Sequence, residues 1–478
     1  MNEGYLLIDI GTGNYRVCLM DMDGKEYSLY RKDMVYEKDD LVDDATSFNP
    51  DKLLKEINDM IKVIIYENPN VLISAILSTS QRQGVVLIDS KGKAITGLPN
   101  IDSRGAKWEV TGNDFNYIYE KTGRWPRKNF SVMKLKGYQE KQPNLWKQVT
   151  AFTSISDWIG YELTGELAYE YTQASETLLF DIKKNNWSSE LCNYFDIKMD
   201  LLPGLKQSGS VLGNIKNDYS KDLNLPKRTP FIIGGADTQL ALKATQPDLG
   251  DVVIVSGTTT PILQIVDNYY TDTKARCWIN KHIENDNFLV ETNAAVTGLN
   301  YQRLKTLFFP DRSYEEMEDE VLALKTPNSI ASFSTAVSDK QMRLSTGGFL
   351  LEAPFNQNMR ISDLVFALLF DIASNIKYHF DVLNKIIPVE KDYVIGCSGG
   401  FQSKVLPRLL ADLLNKKIII KEGYSQATLL GGVFICNETL GESNKQKQSI
   451  KVFNPSDNQH LNELYNKWLE FRNKINNI

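Results

Sequence analysis

The run Leu6-Leu-Ile-Asp-Ile10 is apolar, turns through Gly11-Thr12-Gly13-Asn14, and resumes as Val17-Cys-Leu-Met20. Two short apolar runs about a turn of small residues predict a β-hairpin. Glycines at 11 and 13 let the main chain approach an anionic group, and Thr12 and Asn14 add side-chain donors. Asp9, at the base of the turn, can hold a divalent cation against phosphates. The hairpin therefore reads as a nucleotide-phosphate clamp, although Gly-x-Gly also serves turn geometry alone.

Composition narrows the field. A chain of 478 residues exceeds one ordinary core, so two domains are expected. The hydrophobic share of 42% and charged share of 24% are those of a globular protein. No apolar run approaches the ~20 residues of a membrane helix, and Asn2 and Glu3 do not open a signal peptide. A cytoplasmic protein without a membrane partner is expected. Cys18, Cys192, Cys277, Cys397 and Cys436 are scattered singly, which suits reduced thiols rather than a zinc site. A net charge of −6 with interleaved signs argues against a nucleic-acid partner. The three histidines begin at His282, and His379 lies in the amphipathic stretch 362–387, where a structural role is expected. Acid–base chemistry in the first half must then fall to a carboxylate.

Apolar strands alternate with amphipathic helices, an α/β pattern. The run 71–77 reads as a buried strand followed by a polar loop, 78–84, and a second strand, 85–89. Residues 153–164 read as a helix closed by Gly165. Thr245-Gln-Pro-Asp-Leu-Gly250 is the expected boundary, giving domains 1–245 and 246–478. Just past it, 251–267 repeats the opening: an apolar strand, the turn Ser256-Gly257-Thr258-Thr259, a second strand. Two such hairpins half a chain apart predict a duplicated fold with a nucleotide in the cleft between the halves. A third element, 393–401, brings Gly399 and Gly400 to the start of a helix expected over 402–414, a geometry that suits a phosphate or the adenosine end of a nucleotide.

Before the boundary, Phe231-Ile-Ile-Gly-Gly-Ala-Asp237 is a strand ending in glycines and a carboxylate. Asp237 could accept the proton of a substrate hydroxyl as that oxygen attacks a γ-phosphorus, and it could equally cap the following helix.

With these pieces in order, the chain resembles the FGGY family of carbohydrate kinases. The resemblance runs nearly end to end, through Asp9-Ile-Gly-Thr-Gly13, Ser80-Gln-Arg-Gln-Gly84, Asp102-Ser-Arg104, Asp157-Trp158 with Leu163-Thr-Gly165, Gly234-Gly-Ala-Asp237, Ser256-Gly-Thr-Thr259 and Ser398-Gly-Gly400. It implies two duplicated actin-like, ribonuclease-H-like domains, the first holding the sugar and the base and the second the nucleotide. It implies ATP and Mg2+ as cofactors and a small sugar or polyol as substrate. By the same resemblance Asp237 is the catalytic base and Asp9 serves the magnesium. Gly11, Thr12, Gly13, Asn14, Gly257, Thr258, Gly399 and Gly400 approach the nucleotide, and the substrate lies against Arg82, Gln83, Asn100, Asp102, Asp237 and Gln239. A homodimer is also implied, since relatives commonly dimerise, though no segment marks an interface.

The chain departs from the family at Gln426, where an acidic residue is usual before Ala-x-x-Gly, and at Asn14, where serine or threonine is common. Asn100 stands where many relatives have tryptophan. The Asn100-Ile-Asp-Ser-Arg104 segment, the pattern ending at Gln239, Asn280-Lys-His282, and Thr297-Gly-Leu299 with Arg303 look most like the autoinducer-2 kinase branch, whose substrate derives from dihydroxypentanedione and whose setting is quorum sensing. Xylulose, glycerol, erythritol and sugar-acid kinases are alternatives. A non-catalytic ATPase module of the actin or heat-shock-chaperone kind would need Asp9 and the two hairpins, but not Arg82, Gln83, Asp102 and Arg104 around Asp237.

Overall fold

In the computed structural model, the residues described are 2–38, 45–284, 287–325, 327–334, 346–354, 356–421, 426–443 and 449–475. They divide into two compact units. The first comprises residues 1–244 together with 279–287 and 428–447, and the second comprises the rest. A single cut at residue 245 would thus misplace two segments from the second half of the chain, which pack with the first.

The first unit is built on a six-stranded sheet of β1 (Asn2–Ile10), β2 (Asn14–Asp21), β3 (Glu26–Asp33), β4 (Val71–Ser80), β5 (Val211–Asn214) and β6 (Pro230–Ala236), in the order β3-β2-β1-β4-β6-β5. The pairs β2–β3, β1–β2 and β5–β6 are antiparallel, while β1–β4 and β4–β6 are parallel. In the second unit, six strands repeat the plan: β7 (Val252–Val255), β8 (Thr259–Val266), β9 (Phe288–Val296), β10 (Tyr393–Cys397), β11 (Lys417–Lys421) and β12 (Ile450–Phe453). Their order is β9-β8-β7-β10-β11-β12, with β7–β10 and β10–β11 parallel and the other pairs antiparallel. Both sheets thus have the same succession of directions, the duplication expected from the two hairpins.

The helices that support the site are α1 (Pro50–Glu67), α2 (Ser131–Lys141), α3 (Ile155–Thr164), α4 (Asp237–Ala244), α5 (Gly298–Phe308), α6 (Ile361–Ile386), α7 (Leu406–Leu414) and α8 (Ala427–Leu440). Leu6, Ile8 and Ile10 of β1 join Leu53, Ile57 and Ile61 of α1 and Ile155, Trp158 and Ile159 of α3 in one core. The opposite face is covered by α8, whose Gly432 lies against Leu7 and Leu77, and the Tyr5 hydroxyl donates to Asn437 Oδ1 at 2.8 Å. Burial on both faces explains why β1 and β4 read as continuous apolar runs rather than alternating ones. In the second unit α6 packs on β9, with the Asn375 side-chain amide donating to Ala294 O at 2.7 Å. His379 is fully buried on that helix. All five cysteines are free and buried. No helix among the described residues is long and apolar enough to cross a membrane.

Two expectations need correction. The polar stretch after residue 77 is not a loop from its start, because β4 continues through Ser80. Ser78, Thr79 and Ser80 are buried, and their hydroxyls donate to Ser156 O, Gly235 O and Ser156 Oγ respectively. Satisfied hydroxyls can occupy a core strand. The helix expected over 402–414 begins only at Leu406, with a 3-10 turn, Gly399–Gln402, before it.

Candidate functional site

In the first unit, each carbonyl of the hairpin tip is tied to a donor. Gly11 O accepts from the Gln81 amide at 3.3 Å, Thr12 O from the Tyr36 hydroxyl at 2.6 Å and Gly13 O from Met34 N at 3.0 Å. A trans peptide points its N–H opposite its carbonyl, so fixing these oxygens fixes the direction of the Thr12 and Gly13 amides. The Gly11 amide is not part of that nest: it closes the turn on Asn14 O at 2.9 Å. Asn100 donates from its side chain to Thr12 Oγ1 at 2.8 Å, and its buried Oδ1 has no partner among the described residues.

Asp9, nearly buried at the end of β1, is paired with Arg16 across the hairpin at 2.7 Å. Asp237 begins α4 directly beyond β6, half-buried. Its Oδ1 accepts from Thr238 N at 2.7 Å and Thr238 Oγ1 at 3.2 Å, while Oδ2 has no partner among the described residues. Loss of water and the Asp9 charge push the Asp237 carboxyl up, and Arg82 pulls it back, leaving it at about 6. The aspartate thus combines a local capping contact with one oxygen left to take a proton.

Arg82 is held by a buried cluster that sequence reasoning missed. Glu176 lies 3.7 Å from Arg82 and 2.6 Å from Arg124. Arg124 also donates to Ile279 O at 2.7 Å and to Asn280 Oδ1, bringing a segment from the second half of the chain to this place. The only local signal was a charge in the small and apolar context Ala174-Ser-Glu-Thr-Leu178. Gln83 adopts φ 67, and its carbonyl accepts from Lys134 Nζ at 2.8 Å and Ser131 Oγ at 3.1 Å, both on α2. Burial pushes the Lys134 amine down to about 7.

Three residues expected to touch the substrate have their side chains engaged within the protein. Gln83 uses its side-chain amide to donate to Glu176 at 2.9 Å and to accept from Asn129 at 3.2 Å. Asp102 is fully buried, with Arg104 Nε at 2.6 Å on one oxygen and Thr46 N at 3.1 Å on the other. Gln239 donates to Lys281 O at 2.8 Å and accepts from Ile283 N at 3.1 Å, so it pins the 279–284 segment. Their hydrogen-bonding capacity supports the fold of the site.

The second unit brings Gly257, Thr258, Gly399 and Gly400 together. Gly257 N closes its turn on Thr259 O at 3.0 Å, as Gly11 does in the first unit. The Gly400 amide donates to Ser256 O at 2.8 Å, and a Cβ at Gly400 would stand 2.2 Å from Ser256 Oγ. Only glycine permits that approach. The start of α5 completes the cluster, with Thr297 N donating to Thr258 O at 3.1 Å and the Thr260 and Thr297 hydroxyls 2.7 Å apart beneath the turn. These bonds are all spent within the cluster, where they fix the backbone around Thr258 and Gly399, and the side chains that make them are neutral.

Residues 4–243 match the FGGY family of carbohydrate kinases, N-terminal domain. YoaC of Bacillus subtilis, provisionally named a sugar kinase, is 44% identical over 468 residues, covering 98% of this chain and 96% of that protein. Autoinducer-2 kinase of Yersinia enterocolitica is 24% identical over 89% of this chain and 84% of its own length. In fold, the ligand-bound xylulose kinase of Lactobacillus acidophilus superposes with a TM-score of 0.86 at 20% identity, covering 99% of this chain and 98% of that one. Plasmodium falciparum glycerol kinase with ADP gives 0.84 at 20% identity, covering 98% of each. The family match over half the chain and the 44% identity over nearly all of it agree with the duplicated sheets: the protein belongs to the FGGY family of carbohydrate kinases and is an ATP-dependent sugar kinase.

Proposed function

We propose that the protein transfers the γ-phosphoryl group of ATP to a hydroxyl of a small linear sugar or polyol, with Asp237 as general base. The observation that carries this reading is the half-buried Asp237 carboxyl, held at about 6 beside Arg82 and Asp9 with one oxygen unpartnered among the described residues. Asp237 Oδ2 takes the acceptor proton as the acceptor oxygen forms its bond to the γ-phosphorus and the bond to ADP breaks. Arg82 and Asn100 bind the acceptor, Asn100 Oδ1 offering a place for a substrate hydroxyl to donate. Gly257, Thr258, Gly399 and Gly400 bind the nucleotide, and Thr12, Gly13 and Asn14 receive the transferring phosphoryl group. Neutral donors placed around a phosphoryl group stabilise its charge in the transition state.

Arg16 takes Asp9 Oδ2, so Oδ1 would hold magnesium, an ion usually bound by one or two carboxylates with the rest of its shell from phosphates and water. When bound, the ion supplies neutralisation of phosphate charge. Of the acceptor classes, a linear polyhydroxylated carbonyl compound such as dihydroxypentanedione is favoured by the polar Asn100 and by the similarity to autoinducer-2 kinases.

The test is ADP formation from MgATP with dihydroxypentanedione, xylulose, ribulose, glycerol, erythritol and gluconate supplied singly. Acceptor-dependent ADP release with a phosphorylated product is expected. ADP release at one rate with and without every acceptor would indicate an ATPase module instead.

A further inference from the structure

The peptide preceding Asp237 lies at an irregularity in the sheet. Pairing of β6 with β4 is in register at Ile233 opposite Ser78, then shifts, so that Gly235 stands opposite Thr79. A bulge of this kind takes backbone groups out of the ladder and re-aims the residues beyond it. Gly234 fits because a Cβ there would stand 2.2 Å from Ser78 O, and Gly235 has φ 141.

Side chains from two different segments take up the displaced groups. Thr79 Oγ1 of β4 donates to Gly235 O at 2.8 Å, and Ala236 N donates to Thr172 Oγ1 at 3.0 Å. Thr172 then donates its own proton to Glu170 Oε2 at 2.5 Å, and that oxygen also accepts from Gln173 N at 2.9 Å. Glu170 N is in turn held by Asp157 Oδ2 at 2.9 Å. All four side chains are buried. Burial raises the Glu170 carboxyl to about 8, which favours its uncharged form.

We propose that Thr79 and Thr172, the latter braced by Glu170, are positioning residues that fix the bulged Gly235–Ala236 segment and thereby aim Asp237 at the acceptor hydroxyl. This rests on the reading of Asp237 as the base. Neither threonine touches the reacting atoms; each acts by satisfying one group of the segment that leads into the aspartate. An unsatisfied buried amide or carbonyl is costly, so removal of either hydroxyl lets the segment shift toward other partners or water.

The test uses Thr172→Val and Thr79→Val, which keep shape and lose the hydroxyl, beside Thr172→Ser and Thr79→Ser, which keep the hydroxyl. With the panel compound turned over fastest, each valine variant is expected to lower kcat about tenfold or more with the ATP KM unchanged, and each serine variant to stay within about threefold of wild type. A second readout needs no acceptor: carboxyl 13C NMR of aspartate-labelled protein, with Asp237 assigned by the resonance lost in Asp237→Asn. Its titration midpoint is expected to move in the valine variants and to stay in the serine variants. If no panel compound is phosphorylated, the base reading fails while the NMR titration still decides whether the hydroxyls hold Asp237. Wild-type kcat and an unmoved midpoint in folded Thr172→Val or Thr79→Val protein would overturn the proposal.

Discussion

The two hairpins at the hearts of the two units share strand order and turn but differ in chemistry. In the first, the residue two before the turn glycine Gly11 is Asp9; in the second, the residue two before Gly257 is Val255. Around the first gather Asp237, Arg82 and Arg16, while around the second stand Ser256, Thr258, Thr260, Thr297 and two glycines. The residues named around the first turn are titratable, and those named around the second are neutral. Duplication supplies two equivalent turns, and on the proposed reading the first serves proton transfer and the transferring phosphoryl group while the second serves the rest of the nucleotide.

That division can be broken from either side. The largest effect is expected from Asp237→Asn, which keeps the shape and removes the base. Its kcat should fall on the order of 10³-fold while ATP affinity measured by calorimetry stays within about twofold. A parallel loss of affinity would blur the division between the units. In the second unit, Gly400→Ala would place a Cβ 2.2 Å from Ser256 Oγ. It should raise the ATP KM about tenfold, or roughly 1.4 kcal/mol, and leave the acceptor KM unchanged; steady-state kinetics varying each substrate in turn checks this.

A smaller effect belongs to Lys134, which supports the peptide of Gln83. Burial depresses its amine to about 7, so between pH 7 and its ordinary range near 10 the unfolded chain binds more protons than the folded one. Lys134 therefore contributes stability that rises with pH there, while the raised Glu170 carboxyl contributes stability that falls over the same range. In urea melts the change in stability from pH 7 to 9 should be more positive for wild type than for Lys134→Met, by about 2 kcal/mol.

Much of this is legible in the sequence, for a physical reason. Strands buried on both faces are unbroken apolar runs, so β1, β4, β6, β7 and β10 announce themselves, and the glycine turns punctuate them. Ser78, Thr79 and Ser80 mislead because polar residues in a strand imitate a loop unless their partners are known, and those partners lie at residues 156 and 235. The late start of α7 is hidden because glycines and a serine before a helix fit a 3-10 turn as well as a helix terminus. In the site, Asp9, Arg82 and Asp237 stand out because each ends or follows a strand. Gln83, Asp102 and Gln239 suggest substrate contacts because they are polar neighbours of such positions, yet each is committed to a partner distant in sequence or buried beside it. Glu176 and Arg124 escape notice because they meet only through folding, 52 residues apart, and Asn280, noticed as part of a motif, gives no sign that it joins them from the second half of the chain.

As the proposed base, Asp237 must be ionised to accept the acceptor's proton. The most direct test is the pH dependence of kcat/KM for the acceptor, which reports the carboxyl before the acceptor binds. Because burial and Asp9 raise this carboxyl to about 6, kcat/KM should fall as pH drops through that value, by about tenfold for each further pH unit. A kcat/KM that is level from pH 5 to 8 would contradict this reading.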